Sequence, residues 1–342
     1  VLTCCRENGV EPIVTMMHFT SPKWLIENGG WENEATVEAF KNYCQYVTEQ
    51  LGDLMHYVCT INEANMGIQV AAISARYRAQ MMAKMQRMQQ GGAEEKKDLE
   101  GTAQVGMNFN DMMANMQKQK EENVEIFGTD TLQTFVSART PEGDMLVIRA
   151  HQAARAAMKA VKPELQIGLT LSLHDIQAQE GGEETAAKEW VDEFTHYVPY
   201  IKEDDFFGLQ NYSRSLIGPN GILPVPEGAE ITQMDYEYYP EGLEHVIRRV
   251  YEEMPMPIMV TENGIATADD TRRVAYIQTA MKGVENCIQD GIPVKGYMYW
   301  SMMDNFEWQK GFGMTFGLIS VDRTTQTRTA KPSLTVLGNY TK

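Results

Sequence analysis

The chain has 342 residues, of which 43% are hydrophobic and 23% charged, and its formal net charge is -17 at pH 7. Such a composition belongs to a globular chain long enough to bury a sizeable core, and the negative charge repels phosphate backbones and anionic membranes, which argues against nucleic acid or a membrane as partner. No apolar run approaches the ~20 residues of a membrane helix and no basic-then-apolar leader opens the chain, so the expected location is cytoplasmic. The five cysteines, Cys4, Cys5, Cys44, Cys59 and Cys287, are odd in number and lack C-x-x-C spacing, as reduced core thiols do.

In chain order, β-rich apolar runs at 10–17, 57–62, 166–173, 206–211, 258–262 and 294–301 alternate with helical patterns at 36–51, 144–162, 242–254 and 272–289. Alternation of this kind predicts βα units around a parallel sheet, with strands covered on both faces. One domain is expected over 1–342. The segment 66–143 breaks the rhythm as a polar, Met-rich insertion, with GGAEEKK at 91–97 as its loop. Met81, Met85 and Met88 share one helical face, which suits either a hairpin packed on the rim or a lid over a site.

Two strands end in a bare carboxylate: YVCTINEAN places Glu63, and PIMVTENG places Glu262. Taken alone, Glu63 reads more readily as a surface acid in a strand-to-helix loop. In a parallel barrel, however, all strands point the same way and chemistry gathers at their carboxyl ends. A pair of carboxylates across a pocket suits cleavage of a glycosidic bond, one giving a proton to the leaving oxygen and the other attacking the anomeric carbon or activating water. GYMYWSMMDNFEW, at 296–308, adds an aromatic and acidic loop after a strand. Trp300 and Trp308 can stack on the C–H faces of a sugar, and Glu307 can accept hydrogen bonds from its hydroxyls. The alternatives are a core role for Trp300 and a rim salt bridge for Glu307.

With these motifs the chain resembles glycoside hydrolase family 1, the β-glucosidase-like retaining glycosidases. The likeness runs through EPIVTMMHFTSPKWL, GGWENEATVEAFKNYC, TINEAN, GLQNYSR, YYPEGL, VTENG, GYMYWSMMDNFEW and FGLISVD in family order. It implies a (β/α)8 barrel with six of the eight strands present. The family's first two βα units, with a glycone-binding Gln and an Arg beside the nucleophile, have no counterpart before Val1, and the insertion follows the family's fourth strand. The resemblance further implies Glu63 as acid/base, Glu262 as nucleophile, and Tyr212 as a hydrogen-bond donor favouring ionised Glu262. Asn62 would hold the 2-hydroxyl, His18 the glycone, Glu307 and Trp308 its far hydroxyls, Trp300 its underside, and Phe316 would line the substrate pocket. Ala64 stands where the family usually has Pro, and Gln210-Asn211 where Asn-Tyr is commoner.

The implied activity is hydrolysis of neutral β-linked glucosides or galactosides through a covalent glycosyl-enzyme. The alternative is a catalytically impaired sugar-binding protein on the same scaffold. No cofactor or metal is expected. The six histidines never pair at i, i+3 or i, i+4, H-E-x-x-H and G-x-S-x-G are absent, and the G-x-G of GFGMTFG lacks a strand–turn–helix setting.

Overall fold

Residues 1–89, 109–128, 132–308 and 310–341 are described by the computed structural model, without side chains at 80, 81, 83–89, 109–116 and 341. They fall into two units, one of residues 1–89, 117–128, 132–172 and 192–208, the other of residues 109–116, 173–191, 209–308 and 310–341. No helix among the described residues is long and apolar enough to cross a membrane.

In the first unit β1 (Ile13–Met17), β2 (Tyr57–Ile61) and β3 (Gln166–Gly168) form a parallel sheet in that order, Ile13 opposite Tyr57 and Tyr57 opposite Gln166. Parallel neighbours need long crossovers, which the helices supply. Ala35–Leu51 buries Thr36, Phe40, Cys44 and Thr48, a stripe of four-residue spacing, and packs against Pro141–Val161, whose Ala150, Ala154 and Met158 are fully buried. The second helix starts at Pro141, three residues before the pattern expected over 144–162, because its cap lies there. Thr140 Oγ1 accepts the Gly143 N–H at 3.0 Å, Pro141 fills the first turn, and Glu142 and Asp144 sit at the positive end of the helix dipole.

The run expected as one strand over 166–173 is two, because β4 (Thr170–Ser172) begins after a break at Leu169. Leu169 gives its N–H to the Asp204 carboxylate at 3.0 Å instead of to a neighbouring strand. Within 66–143 lie the helices Met66–Gln89 and Phe109–Phe127. The GGAEEKK loop and the side chains of Met81, Met85 and Met88 lie outside the described residues. The end of this segment is core: Phe135 is fully buried, stacked with Phe19 at 5.8 Å and edge-on to Trp31 at 5.2 Å.

In the second unit β5 (Asp175–Ala178) is followed by β6 (Phe207–Gln210), within which the chain passes from one unit into the other. β7 (Arg214–Gly218) pairs parallel with β5 and antiparallel with β8 (Gly221–Ile222). β9 (Ile258–Asn263) stands between β6 and β10 (Val294–Tyr299), and β11 (Ile319–Val321) and β12 (Arg328–Ala330) make an antiparallel ribbon. Helix Gly242–Glu253 buries Leu243, Val246, Ile247 and Val250 and packs against Asp270–Gln289, which Asp269 caps by accepting the Thr271 N–H at 2.9 Å.

Burial follows position in the sheets. β2 and β9 are buried almost throughout, but β1 and β10, outermost in the order of their sheets, leave Thr15 and Lys295 exposed. The expectation of strands covered on both faces therefore holds for the inner strands and fails for these two, which among the described residues pair with a strand on one side only.

Candidate active site

His18, Glu63, Tyr212, Glu262 and Trp300 each stand at the carboxyl end of their own strand, after β1, β2 and β6, within β9, and after β10. That is where a barrel enzyme keeps its chemistry.

In the first unit Glu63 is 7% exposed and has φ 43°, in the left-handed region that costs a residue with a Cβ about 1–2 kcal/mol. Its surroundings compensate with hydrogen bonds. Glu63 N–H donates to Thr170 Oγ1 at 3.0 Å and Ala64 N–H to Thr170 O at 2.9 Å. Asn62, also buried, anchors its N–H on Met17 O at 2.9 Å and brings Nδ2 to 3.4 Å from His18 Nε2. Burial lowers the His18 pKa, which keeps the ring neutral and lets Nε2 accept from the amide. Asn65 closes the turn: Nδ2 donates to Ser172 O and Glu193 O, and Oδ1 accepts the Ser172 N–H. The residues of TINEAN are thus held by partners on β1 and β4 and by Glu193 O, and His18 and Asn62 come together.

In the second unit Glu262 is 8% exposed, and Tyr212 Oη donates to its Oε2 at 2.6 Å. Behind them Asn263 is fully buried: Nδ2 donates to Asn211 O and Tyr276 Oη, and Oδ1 accepts from Tyr297 Oη at 2.8 Å. Tyr276 Oη in turn donates to Tyr212 O at 3.1 Å, so one network carries both Tyr212 and the strand end that bears Glu262. Tyr212 and Trp300 pack with Tyr236 and Met314 on a cluster of Met234, Ala266 and Phe316. The glycine of TENG has a steric reason, because a Cβ on Gly264 would stand 2.1 Å from the Trp300 carbonyl oxygen.

Glu307 sits in a tight turn, its N–H donating to Gly311 O at 2.7 Å, with Gly311 at φ 67°. Burial pushes the Glu307 carboxyl up to about 7 against the opposing pull of a hydrogen bond from Trp300. The neighbouring cation, Lys310, is taken by Asp235 at 3.1 Å. Trp308 is 39% exposed, and Phe316 is buried. Among the described residues no group of three or more His, Cys, Asp or Glu side chains is gathered as for a metal ion.

Several residues in these networks carry no signal in the sequence. Tyr236, whose buried hydroxyl has no hydrogen-bond partner among the described residues, lies just before YYPEGL, where nothing in the pattern marks it. Asn263, Tyr276 and Tyr297 become visible only once the strands are paired.

Known proteins resemble this chain over most of its length. The family model described as Glycosyl hydrolase family 1 matches residues 1–90 and 205–340. A β-glucosidase of Agrobacterium sp. is 26% identical over 96% of this chain and 71% of its own. Among solved structures, the β-glycosidase BGL167 is 41% identical with a TM-score of 0.79, covering 99% of this chain and 74% of that one. The apo β-glucosidase 1317 is 35% identical with a TM-score of 0.82, covering 99% and 76%. The fold is therefore α/β, of the (β/α)8 barrel class.

Proposed function

The chain belongs to glycosyl hydrolase family 1 and is a β-glycosidase, and on that premise we propose that it works by double displacement with retention, on unphosphorylated β-glucosides or β-galactosides. In this reading ionised Glu262 attacks the anomeric carbon while protonated Glu63 gives its proton to the departing oxygen. The C–O bond to the aglycone breaks as the bond to Glu262 forms. Glu63, now a carboxylate, then takes a proton from water, whose oxygen displaces Glu262 and releases the sugar in its original configuration.

The observation that carries the proposal is the 2.6 Å hydrogen bond from Tyr212 to Glu262. A donor so close favours the charged, nucleophilic form of a buried carboxylate and fixes the position of one of its oxygens. Asn62 and His18 supply neutral donors and acceptors for the glycone's hydroxyls, and Trp300 and Trp308 offer faces for its C–H groups. Glu307 suits a sugar with free hydroxyls and repels a phosphate.

The test has two parts. Proton NMR of the first product released from an aryl β-glucoside should show the β anomer, and a 2-deoxy-2-fluoro glycoside with a good leaving group should leave a covalent sugar on the peptide containing Glu262. Release of the α anomer would point to inversion. Sugar binding without adduct or product would favour a binding protein instead.

A further inference from the structure

Three peptide planes around Glu63 are tied down, two of them by one residue. The plane before its Cα is held through Glu63 N–H on Thr170 Oγ1, and the plane after it through Ala64 N–H on Thr170 O. Thr170 Oγ1 itself donates to Ile61 O at 3.3 Å, so its lone pair is aimed back at Glu63. The third plane is held from the other side, where Arg139 Nη1 donates to Ala64 O at 2.9 Å.

Arg139 is not a casual neighbour. It is 5% exposed, and burying a cation is expensive unless its donors are matched. Here Nη2 donates to Phe135 O at 3.0 Å, Nη1 lies 3.5 Å from Asp144 Oδ1, and the guanidinium stacks 4.5 Å from the Phe135 ring. Asp144 is fixed in turn by Tyr197 Oη at 2.8 Å and by His196 Nε2 at 3.0 Å. Arg139 N–H donates to Gly67 O, and a Cβ on Gly67 would come within 2.6 Å of Arg139 Nε, so the glycine leaves the space that the side chain occupies. A buried cation with this many constraints, ending on the carbonyl next to Glu63, has one evident beneficiary.

We propose that Thr170 and Arg139 are positioning residues for Glu63, fixing its left-handed backbone so that the carboxyl is presented for proton transfer. The inference rests on the reading of Glu63 as acid/base. Ala64 is central to it: where the family pattern has proline, Ala64 supplies the N–H that Thr170 accepts, and a proline has none.

A misplaced general acid matters most when the leaving group needs its proton. The full chain and its variants are therefore compared on two aryl β-glucosides, a dinitrophenyl glucoside with a good leaving group and an unsubstituted phenyl glucoside with a poor one. Glu63→Ala serves as reference and should lose far more on the phenyl substrate. Thr170→Val and Arg139→Met should each lose roughly tenfold or more beyond their dinitrophenyl loss on the phenyl substrate, in kcat/KM, which reports aglycone departure and not the later attack of water. Arg139→Lys should recover part of the Arg139→Met loss. If Arg139→Met fails to fold, Thr170→Val, close to isosteric, carries the comparison. Equal losses on both substrates from Thr170→Val, beside a discriminating Glu63→Ala, would overturn the positioning role and leave the functional reading intact. A Glu63→Ala variant that does not discriminate, or a parent chain that turns over neither substrate, would sink the reading itself and this inference with it.

Discussion

Tyr212 Oη donates to Glu262 Oε2 at 2.6 Å, while the Tyr212 ring packs edge-on to Phe316 at 6.1 Å and tilted to Tyr236 at 6.4 Å. The hydroxyl and the ring thus have separate jobs, and a substitution can separate them. Tyr212→Phe keeps the ring contacts and deletes the donor. A hydrogen bond to a charged group is worth about 1.5–3 kcal/mol, so kcat on an aryl β-glucoside should fall roughly 10–100-fold, with the melting temperature lowered by only a few degrees. Steady-state kinetics and a thermal melt check both halves. Undiminished kcat would mean that the hydroxyl does not serve Glu262.

Gly264 has no room for a side chain, because the atom 2.1 Å from where a methyl group would stand belongs to the Trp300 backbone, which cannot swing aside as a side-chain tip can. The same stretch is bonded in place, Trp300 N–H donating to Asn263 O at 2.9 Å. Gly264→Ala should therefore cost about 1–3 kcal/mol, as overpacking does, and lower the urea midpoint. An unshifted midpoint would show that the two strand ends part easily.

These two sites mark the limits of what the sequence reveals. Glu63 and Glu262 were legible because an apolar strand that ends in an acid is a local pattern, and Ala35–Leu51 because Thr36, Phe40, Cys44 and Thr48 repeat at helical spacing. β5 and β7, by contrast, read DIQA and RSLIG, too short and too mixed for a period of two to stand out. Arg139 fell in a stretch whose polarity suggests an insertion. Its burial depends on Gly67, Asp144 and Phe135, residues whose meeting no local pattern encodes.

On the proposed reading, substrate choice follows from charge. With Glu307 as the grip on the far hydroxyls, a 6-phosphate would bring like charges together, so kcat/KM for an aryl β-glucoside should exceed that for its 6-phosphate by roughly tenfold or more at pH 8. A preference for the phosphorylated sugar would remove Glu307 from that part of the site.

Glu307 also gives a stability signature of its own. Its folded carboxyl titrates at about 7, above the ordinary value of 4.5, because burial penalises the charge. A raised folded pKa favours the protonated native state: the benefit is complete below about 4.5, is lost as pH rises through about 7, and above that the ionised group is a fixed burden on the fold. Glu307→Gln removes the titration and keeps an acceptor for the Trp300 hydrogen bond. Relative to the parent, the variant should melt at the same temperature at pH 4.5 and about 2 °C or more higher at pH 8, a modest gain because the side chain is only half-buried. Meanwhile its kcat/KM on the glucoside should fall, since an amide is a poorer acceptor for two sugar hydroxyls than a carboxylate. The opposite signs are the point of the experiment. A rim salt-bridge role would make Glu307→Gln less stable at pH 8 and leave kcat/KM untouched, and Lys310, held by Asp235, gives that role little footing.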